Sequence, residues 1–201
     1  MTTATHPLRC RCGALQGQIE RSGPTSRMVC YCKDCQAFAR YLGPAGHVLD
    51  AQGGSDVVQL APHRIRFTQG IEHLAVMRLS PKGMLRWYAA CCRTPVGNTM
   101  TSRNMPFTGL LVQCLDSAPL EAAFGPVLAS ANTQSALDNP KPRAFGLPGA
   151  VLRILRIVAG SRLSGAYKAN PFFDAAGLPV VEPTVLTAQE RARLDTVPTT
   201  V

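Results

Sequence analysis

The chain has 201 residues, of which 46% are hydrophobic, 16% charged and 6% aromatic, with eight cysteines and a formal charge of +9. That length is enough for an ordinary hydrophobic core without disulfide staples. The apolar content excludes a disordered chain, although charge falls below the roughly 25% usual in globular domains. No apolar run reaches the roughly 18 residues of a membrane span, and Met1 to Leu8 lacks the basic start and apolar block of a secretory signal, so a cytoplasmic chain with reduced thiols is expected.

In chain order, residues 1 to 9 read as a loose tail. From Cys10 to about Leu115 the pattern is one of short strands and turns, giving a mainly β fold class. Leu15 to Ile19 alternates in part, Arg64 to Thr68 mixes basic and apolar residues, and Leu74 to Leu79 is an apolar run. Ser80-Pro81-Lys82-Gly83 supplies a turn into Met84 to Tyr88, which predicts a hairpin. A further strand is expected over Thr108 to Leu115, and a short helix over Cys35 to Leu42, stopped by Gly43-Pro44. Beyond Asp116, Pro119, Pro126, Pro140, Pro142 and Pro148 break the chain into loops, with a helical piece at Leu120 to Phe124. Val151 to Leu163 is the strongest helix. Its apolar residues cover most of the circumference, leaving a stripe of Arg153, Arg156 and Gly160, so a largely buried helix is expected. Thr187 with Glu190 forms a capping-box pattern opening a last helix through Leu194.

Seven of the eight cysteines fall in three groups: Cys10 with Cys12, Cys30 with Cys32 and Cys35, and Cys91 with Cys92; Cys114 stands alone. Thiolates one or two residues apart reach one tetrahedral ion from a single turn, so each group is a half-site for zinc, with one or two ions per chain. Cys10-Arg11-Cys12-Gly13 and the Cys91-Cys92 segment are natural partners for a structural ion. Cys30-Tyr31-Cys32-Lys33-Asp34-Cys35 supplies three thiols and leaves a coordination position open, the arrangement of reactive sites. Lys33, Arg27 and Arg40 lie near enough in sequence to favour thiolate. The alternative for this group is a second structural ion completed by Cys114, a histidine or a carboxylate. His6, His47, His63 and His73 show no spacing that selects any of them.

The motifs Cys10-Arg11-Cys12-Gly13, Cys30-Tyr31-Cys32-Lys33-Asp34-Cys35 and Trp87-Tyr88-Ala89-Ala90-Cys91-Cys92-Arg93-Thr94-Pro95 resemble, in order and spacing, the GFA family of glutathione-dependent formaldehyde-activating enzymes and centromere protein V-like proteins. The resemblance covers about residues 8 to 115 and makes 116 to 201 a Pro-rich, partly helical C-terminal extension packed on the same domain. It implies a zinc-bearing β-tent core of short antiparallel strands, with a structural zinc on the first and last groups. A second zinc on Cys30, Cys32 and Cys35 would be catalytic. The implied activity is that of a carbon–sulfur lyase on a glutathione or other thiol adduct of a small electrophile. The chain departs from the family at Ala89, where a cysteine ligand is usual, at Arg93 in a glycine position, and at Tyr31 and Gln36 in histidine and arginine positions. Cys91 is the candidate to replace the ligand absent at Ala89, which requires a sharp turn because adjacent residues of an extended strand face opposite sides.

Between Asn139 and Phe173 there is no acidic residue, while Lys141, Arg143, Arg153, Arg156, Arg162 and Lys168 supply two thirds of the net charge. Such a segment suits an anionic small molecule, a phosphate backbone or an anionic membrane. A small anion is the economical reading, because no nucleic-acid motif or aromatic stacking platform accompanies it. The rival to an enzyme is a non-enzymatic zinc module whose basic segment binds an acidic partner such as nucleic acid.

Overall fold

The computed structural model describes residues 4–44, 47–115 and 119–196. Its elements are β1 (Thr5–Arg9), β2 (Gln16–Glu20), β3 (Ser26–Cys30), α1 (Lys33–Leu42), β4 (Ser55–Leu60), β5 (Ile65–Gln69), β6 (Leu74–Arg78), β7 (Leu85–Ala89), β8 (Thr94–Thr99), β9 (Thr108–Leu111), α2 (Leu120–Phe124), β10 (Val127–Ala131), α3 (Leu147–Leu163), β11 (Thr184–Val185) and α4 (Ala188–Thr196). The fold is mainly β, as the run of short strands and turns predicts.

β1, β2 and β5 form a small antiparallel sheet. In β1 every second side chain turns inward, His6 and then Leu8, the period-two pattern of a strand with one wet face. The expectation of a loose tail therefore fails from Thr5 onward: Leu8 enters the core and His6 packs edge-on against Phe124, ring centres 4.9 Å apart. Gly17 lets β2 lie close to β5, since a Cβ there would stand 2.7 Å from the Arg66 carbonyl oxygen.

The second sheet has the order β10-β3-β4-β9-β8-β7-β6-β11. It is antiparallel except at its two outer pairs, β10 with β3 and β11 with β6, which are parallel. The hairpin β6–β7 turns at Ser80–Gly83, where the Gly83 amide donates to the Ser80 carbonyl at 3.0 Å. Strands β8 and β9 are buried throughout, as suits strands covered on both faces. On one face Leu8, Leu15, Ile19 and Ile65 meet Val58, Leu60, Val76, Leu85, Trp87 and Leu110. Trp87 donates its indole N–H to Thr99 Oγ1 at 2.9 Å and packs on Phe172. On the other face Ala37, Phe38 and Leu42 of α1 meet Met77, Leu79, Leu111 and Leu186.

The C-terminal segment does more than form loops and helical pieces. It supplies β10 and β11, the two edges of the large sheet, through pairings with residues about a hundred positions away. The boundary expected at Asp116 lies outside the described residues. α2 forms as expected, and Thr187 and Glu190 form the reciprocal capping box: the Glu190 amide donates to Thr187 Oγ1 at 3.2 Å and the Thr187 amide to Glu190 Oε2 at 2.8 Å. The expectation for α3 is overturned. Only Ala150, Ile157 and Ser161 are buried, whereas Val151, Leu152, Leu155 and Leu163 are exposed. The helix rests with one face on β10, β3 and β4, and among the described residues no further layer covers the opposite face.

Candidate metal centres

The Cys10–Gly13 turn joins β1 to β2. The Gly13 amide donates to the Cys10 carbonyl at 2.9 Å, Gly13 takes φ 78°, and the Leu15 amide donates to Cys10 Sγ at 3.3 Å. A second turn, between β7 and β8, holds Cys91 and Cys92. Here the Cys92 amide donates to the Ala89 carbonyl at 3.4 Å and Arg93 adopts φ 55°, the left-handed conformation a glycine would take more easily. Because both cysteines lie in the turn and not in an extended strand, both thiols point toward Cys10 and Cys12.

The four sulfurs lie within 4.8 Å of one another. Cys12 to Cys91 is 3.3 Å, Cys10 to Cys12 is 3.5 Å, Cys10 to Cys91 is 3.7 Å and Cys91 to Cys92 is 3.9 Å. Thiolates around a tetrahedral ion with bonds of about 2.3 Å stand about 3.8 Å apart, so this set fits one metal ion. Arg11 ties the two turns together: its amide donates to Thr94 Oγ1 at 3.0 Å and its guanidinium to the Cys92 carbonyl at 3.1 Å. The Cys92 thiol is held down at about 6; burial opposes ionisation most strongly, but hydrogen bonds from the Thr94 hydroxyl at 3.0 Å, from Cys12 and from the backbone together outweigh it. Burial and the neighbouring thiols of Cys12 and Cys10 push Cys91 up. A cleft of about 420 Å³ lies against this cluster, with Arg9, Arg11 and Arg93 among its lining residues.

Cys30, Cys32 and Cys35 form the second group. Cys30 ends β3, Cys32 is the N-cap of α1, and Cys35 lies in the first turn of that helix, its amide donating to Cys32 Sγ at 3.3 Å. Cys32 and Cys35 sulfurs are 3.1 Å apart. Gln36 fixes the segment from behind, donating to the carbonyls of Tyr31 at 3.0 Å and Ser135 at 2.8 Å. Hydrogen bonds from Cys32 and Cys35, aided by Asn132, hold the Cys30 thiol well below its ordinary value against the effect of burial. The same hydrogen bonds push Cys32 and Cys35 up.

Arg27 and Arg40, expected to favour thiolate here, are engaged elsewhere: Arg27 pairs with Asp56 at 2.6 Å and Arg40 donates to the Leu194 carbonyl. Cys114 does not complete the group. It is buried in the core, its thiol donating to the carbonyls of Leu111 at 3.1 Å and Val96 at 3.3 Å. Among the described residues no histidine or carboxylate joins the three thiols, so this cluster could offer a metal ion three ligands and the other four.

The model of the family of unknown function DUF6151 matches residues 2–184, taking in both cysteine clusters and the whole of α3. The chain belongs to this family. No curated protein matches this DUF6151 chain. Among solved structures, a Rhodobacter sphaeroides protein is similar over 58% of this chain and 94% of its own, at 19% identity and a TM-score of 0.39.

Two polar residues of this DUF6151 chain belong beside the thiols yet carry no signal in the cysteine motifs. Asn132, at φ 57° just after β10, donates its amide to Cys30 Sγ at 3.4 Å across 102 positions of sequence. Only the parallel pairing of β10 with β3 brings it there. Thr94, which contacts Cys92 and Arg11, lies within the third motif, but the motif assigns it no role at the thiols.

Proposed function

We propose that this chain is a two-zinc protein of GFA type and acts as a carbon–sulfur lyase on a thiol adduct of a small electrophile, glutathione adducts being the first candidates. In this reading Cys10, Cys12, Cys91 and Cys92 hold a structural ion, while Cys30, Cys32 and Cys35 hold the ion at which chemistry occurs. The observation that carries it is the difference in ligand number between the two clusters, four thiols in one and three in the other. Soft thiolate ligands in tetrahedral spacing favour zinc over hard cations.

Zinc bound by three thiolates supplies Lewis acidity and an affinity for sulfur at its remaining position. The chain's own residues prepare that position. Hydrogen bonds from Cys32 and Cys35 favour thiolate at Cys30, Asn132 directs a further donor at it, and the N-terminus of α1 places positive backbone dipole beside Cys32 and Cys35. In the bond-forming direction a substrate thiol's sulfur adds to an electrophilic carbonyl carbon, and the thiol proton ends on the carbonyl oxygen; cleavage returns both.

Metal analysis of the purified chain is expected to find two zinc ions, and Cys32→Ser to retain one. Exchange between formaldehyde and glutathione, followed by NMR, is expected to be accelerated by the native chain and not by Cys32→Ser. A chain without zinc, or a Cys32→Ser variant with both zinc content and exchange rate unchanged, would refute the reading.

A further inference from the structure

α3 carries an apolar stripe on its solvent face. With about 100° of rotation per residue, Leu152, Leu155, Ala159 and Leu163 fall on one line, opposite the buried Ala150, Ile157 and Ser161. Leu155 is 59% exposed and Leu163 89%. Phe145 and Leu147, at the start of the helix, are exposed as well but lie off this line. Arg156 and Arg162, both exposed, flank the stripe on its two sides. Leucines so exposed in a row are costly to keep in water unless something covers them.

The geometry points to α3 as a docking helix that lies on an anionic lipid surface. The leucines enter the boundary between headgroups and acyl chains, Arg156 reaches outward to lipid phosphates, and Arg162, whose guanidinium otherwise donates to the Asn104 carbonyl at 3.3 Å, exchanges that contact for a phosphate. Charge selects this occupant. From Asn139 to Phe173 the chain has six lysines and arginines and no carboxylate. In a symmetric pairing of two copies through this face, Arg156 and Arg162 would meet the same cations with no acidic residue of the segment to neutralise them. A nucleic-acid backbone would satisfy the arginines but leave the leucine stripe in water. An anionic bilayer satisfies both features at once. No helix among the described residues is long and apolar enough to cross a membrane, so α3 lies along the surface. This inference is independent of the metal chemistry, since α3 contributes no thiol.

The test is co-sedimentation of the full chain with vesicles of phosphatidylcholine alone and with phosphatidylglycerol added, at low and high salt. Binding is expected only with phosphatidylglycerol present and is expected to weaken with salt. Both Leu152→Gln/Leu155→Gln and Arg156→Glu/Arg162→Glu should reduce it about tenfold or more. Circular dichroism and metal content, unchanged in both variants, report intact folding, because all four side chains lie on the surface. No vesicle binding by the native chain overturns the proposal. So does vesicle or DNA binding that needs the arginines but not the leucines, and so does a dimer dissolved by the leucine changes without vesicle binding.

Discussion

Cys91 and Cys12 bring their sulfurs within 3.3 Å of each other across 79 positions of sequence, and Cys91 thereby joins Cys10, Cys12 and Cys92 in one four-thiol cluster. Cys91→Ser is expected to leave the chain with one zinc ion. A structural ion loaded about a thousandfold above its dissociation constant contributes about 4 kcal/mol. For a chain of this size that corresponds to a fall in Tm of roughly 8–16 °C. Thermal denaturation beside metal analysis checks both, and a Cys91→Ser chain with two ions and an unchanged Tm would remove Cys91 from the cluster.

Arg93 holds the turn that makes this placement possible. Its left-handed backbone costs on the order of 1 kcal/mol, and its side chain offsets the cost: the guanidinium donates to the Tyr41 carbonyl at 2.7 Å and stacks 5.6 Å from the Tyr41 ring centre. Arg93→Gly relieves the backbone and loses the contacts, so stability should change by less than about 1 kcal/mol. Arg93→Ala keeps the strain and loses the contacts, a loss of about 1–2 kcal/mol. Denaturant midpoints of the two variants should therefore differ, with alanine the weaker; equal midpoints would show that the backbone conformation matters little.

The parts of the fold legible in the sequence are those encoded locally. The β6–β7 hairpin follows from a Pro-Lys-Gly turn between apolar runs, α1 from its stop at Gly43, and α4 from its capping box. The cysteine pairs are likewise visible because each half-site spans a few residues. Strand β1 was obscured because its apolar content is one buried leucine beside a buried histidine. β10 and β11 were obscured because parallel pairing with β3 and β6 leaves no turn signature. The burial of α3 departs from the sequence pattern for a different reason. Apolar side chains around a circumference show that a helix can be buried, but only the neighbouring layers decide how much of it is. Asn132 needed the same non-local information.

Cys114 and the clustered thiols should separate chemically. Cys114 is fully enclosed, and burial pushes its thiol up to about 12. In chelator-treated native protein, iodoacetamide is expected to modify the thiols of the two clusters first and to spare Cys114 until denaturant is added. Peptide mass mapping reads the order, and early labelling of Cys114 would contradict its enclosure.

The alkaline limb of stability should be set by buried protons. Tyr88 is pushed up to about 12 by burial and by the Tyr41 hydroxyl at 3.4 Å. The folded state thus holds this proton more tightly than the unfolded chain does. The stabilisation is complete below pH 10, the ordinary tyrosine value, and is lost as pH rises from 10 to about 12. Cys114 acts with the same sign from its ordinary value of 9 upward. Denaturant midpoints measured at pH 8, 10 and 11.5 should fall over the last interval, and Tyr88→Phe should flatten that fall. An equally steep fall in Tyr88→Phe would assign the loss to other groups.

Asn132 offers a test of how the three-thiol centre is prepared. It occupies a left-handed backbone position that glycine adopts freely, and its side-chain amide reaches Cys30 at 3.4 Å. Asn132→Gly therefore removes the donor without imposing backbone strain, while Asn132→Ala removes the donor and adds strain of on the order of 1 kcal/mol. Partners that hydrogen-bond a metal ligand typically account for 10–100-fold in metal affinity. Competition with a chromophoric chelator should show one of two zinc ions held that much more weakly in Asn132→Gly, with the other ion and the denaturation midpoint of the metal-free chain unchanged. Equal weakening of both ions would indicate a general loosening of the fold. Unchanged affinity of both would mean that the amide does not act on Cys30. The alanine variant should show the same selective loss of zinc affinity together with a lower midpoint, which separates the donor's effect on the metal from the backbone's effect on the fold.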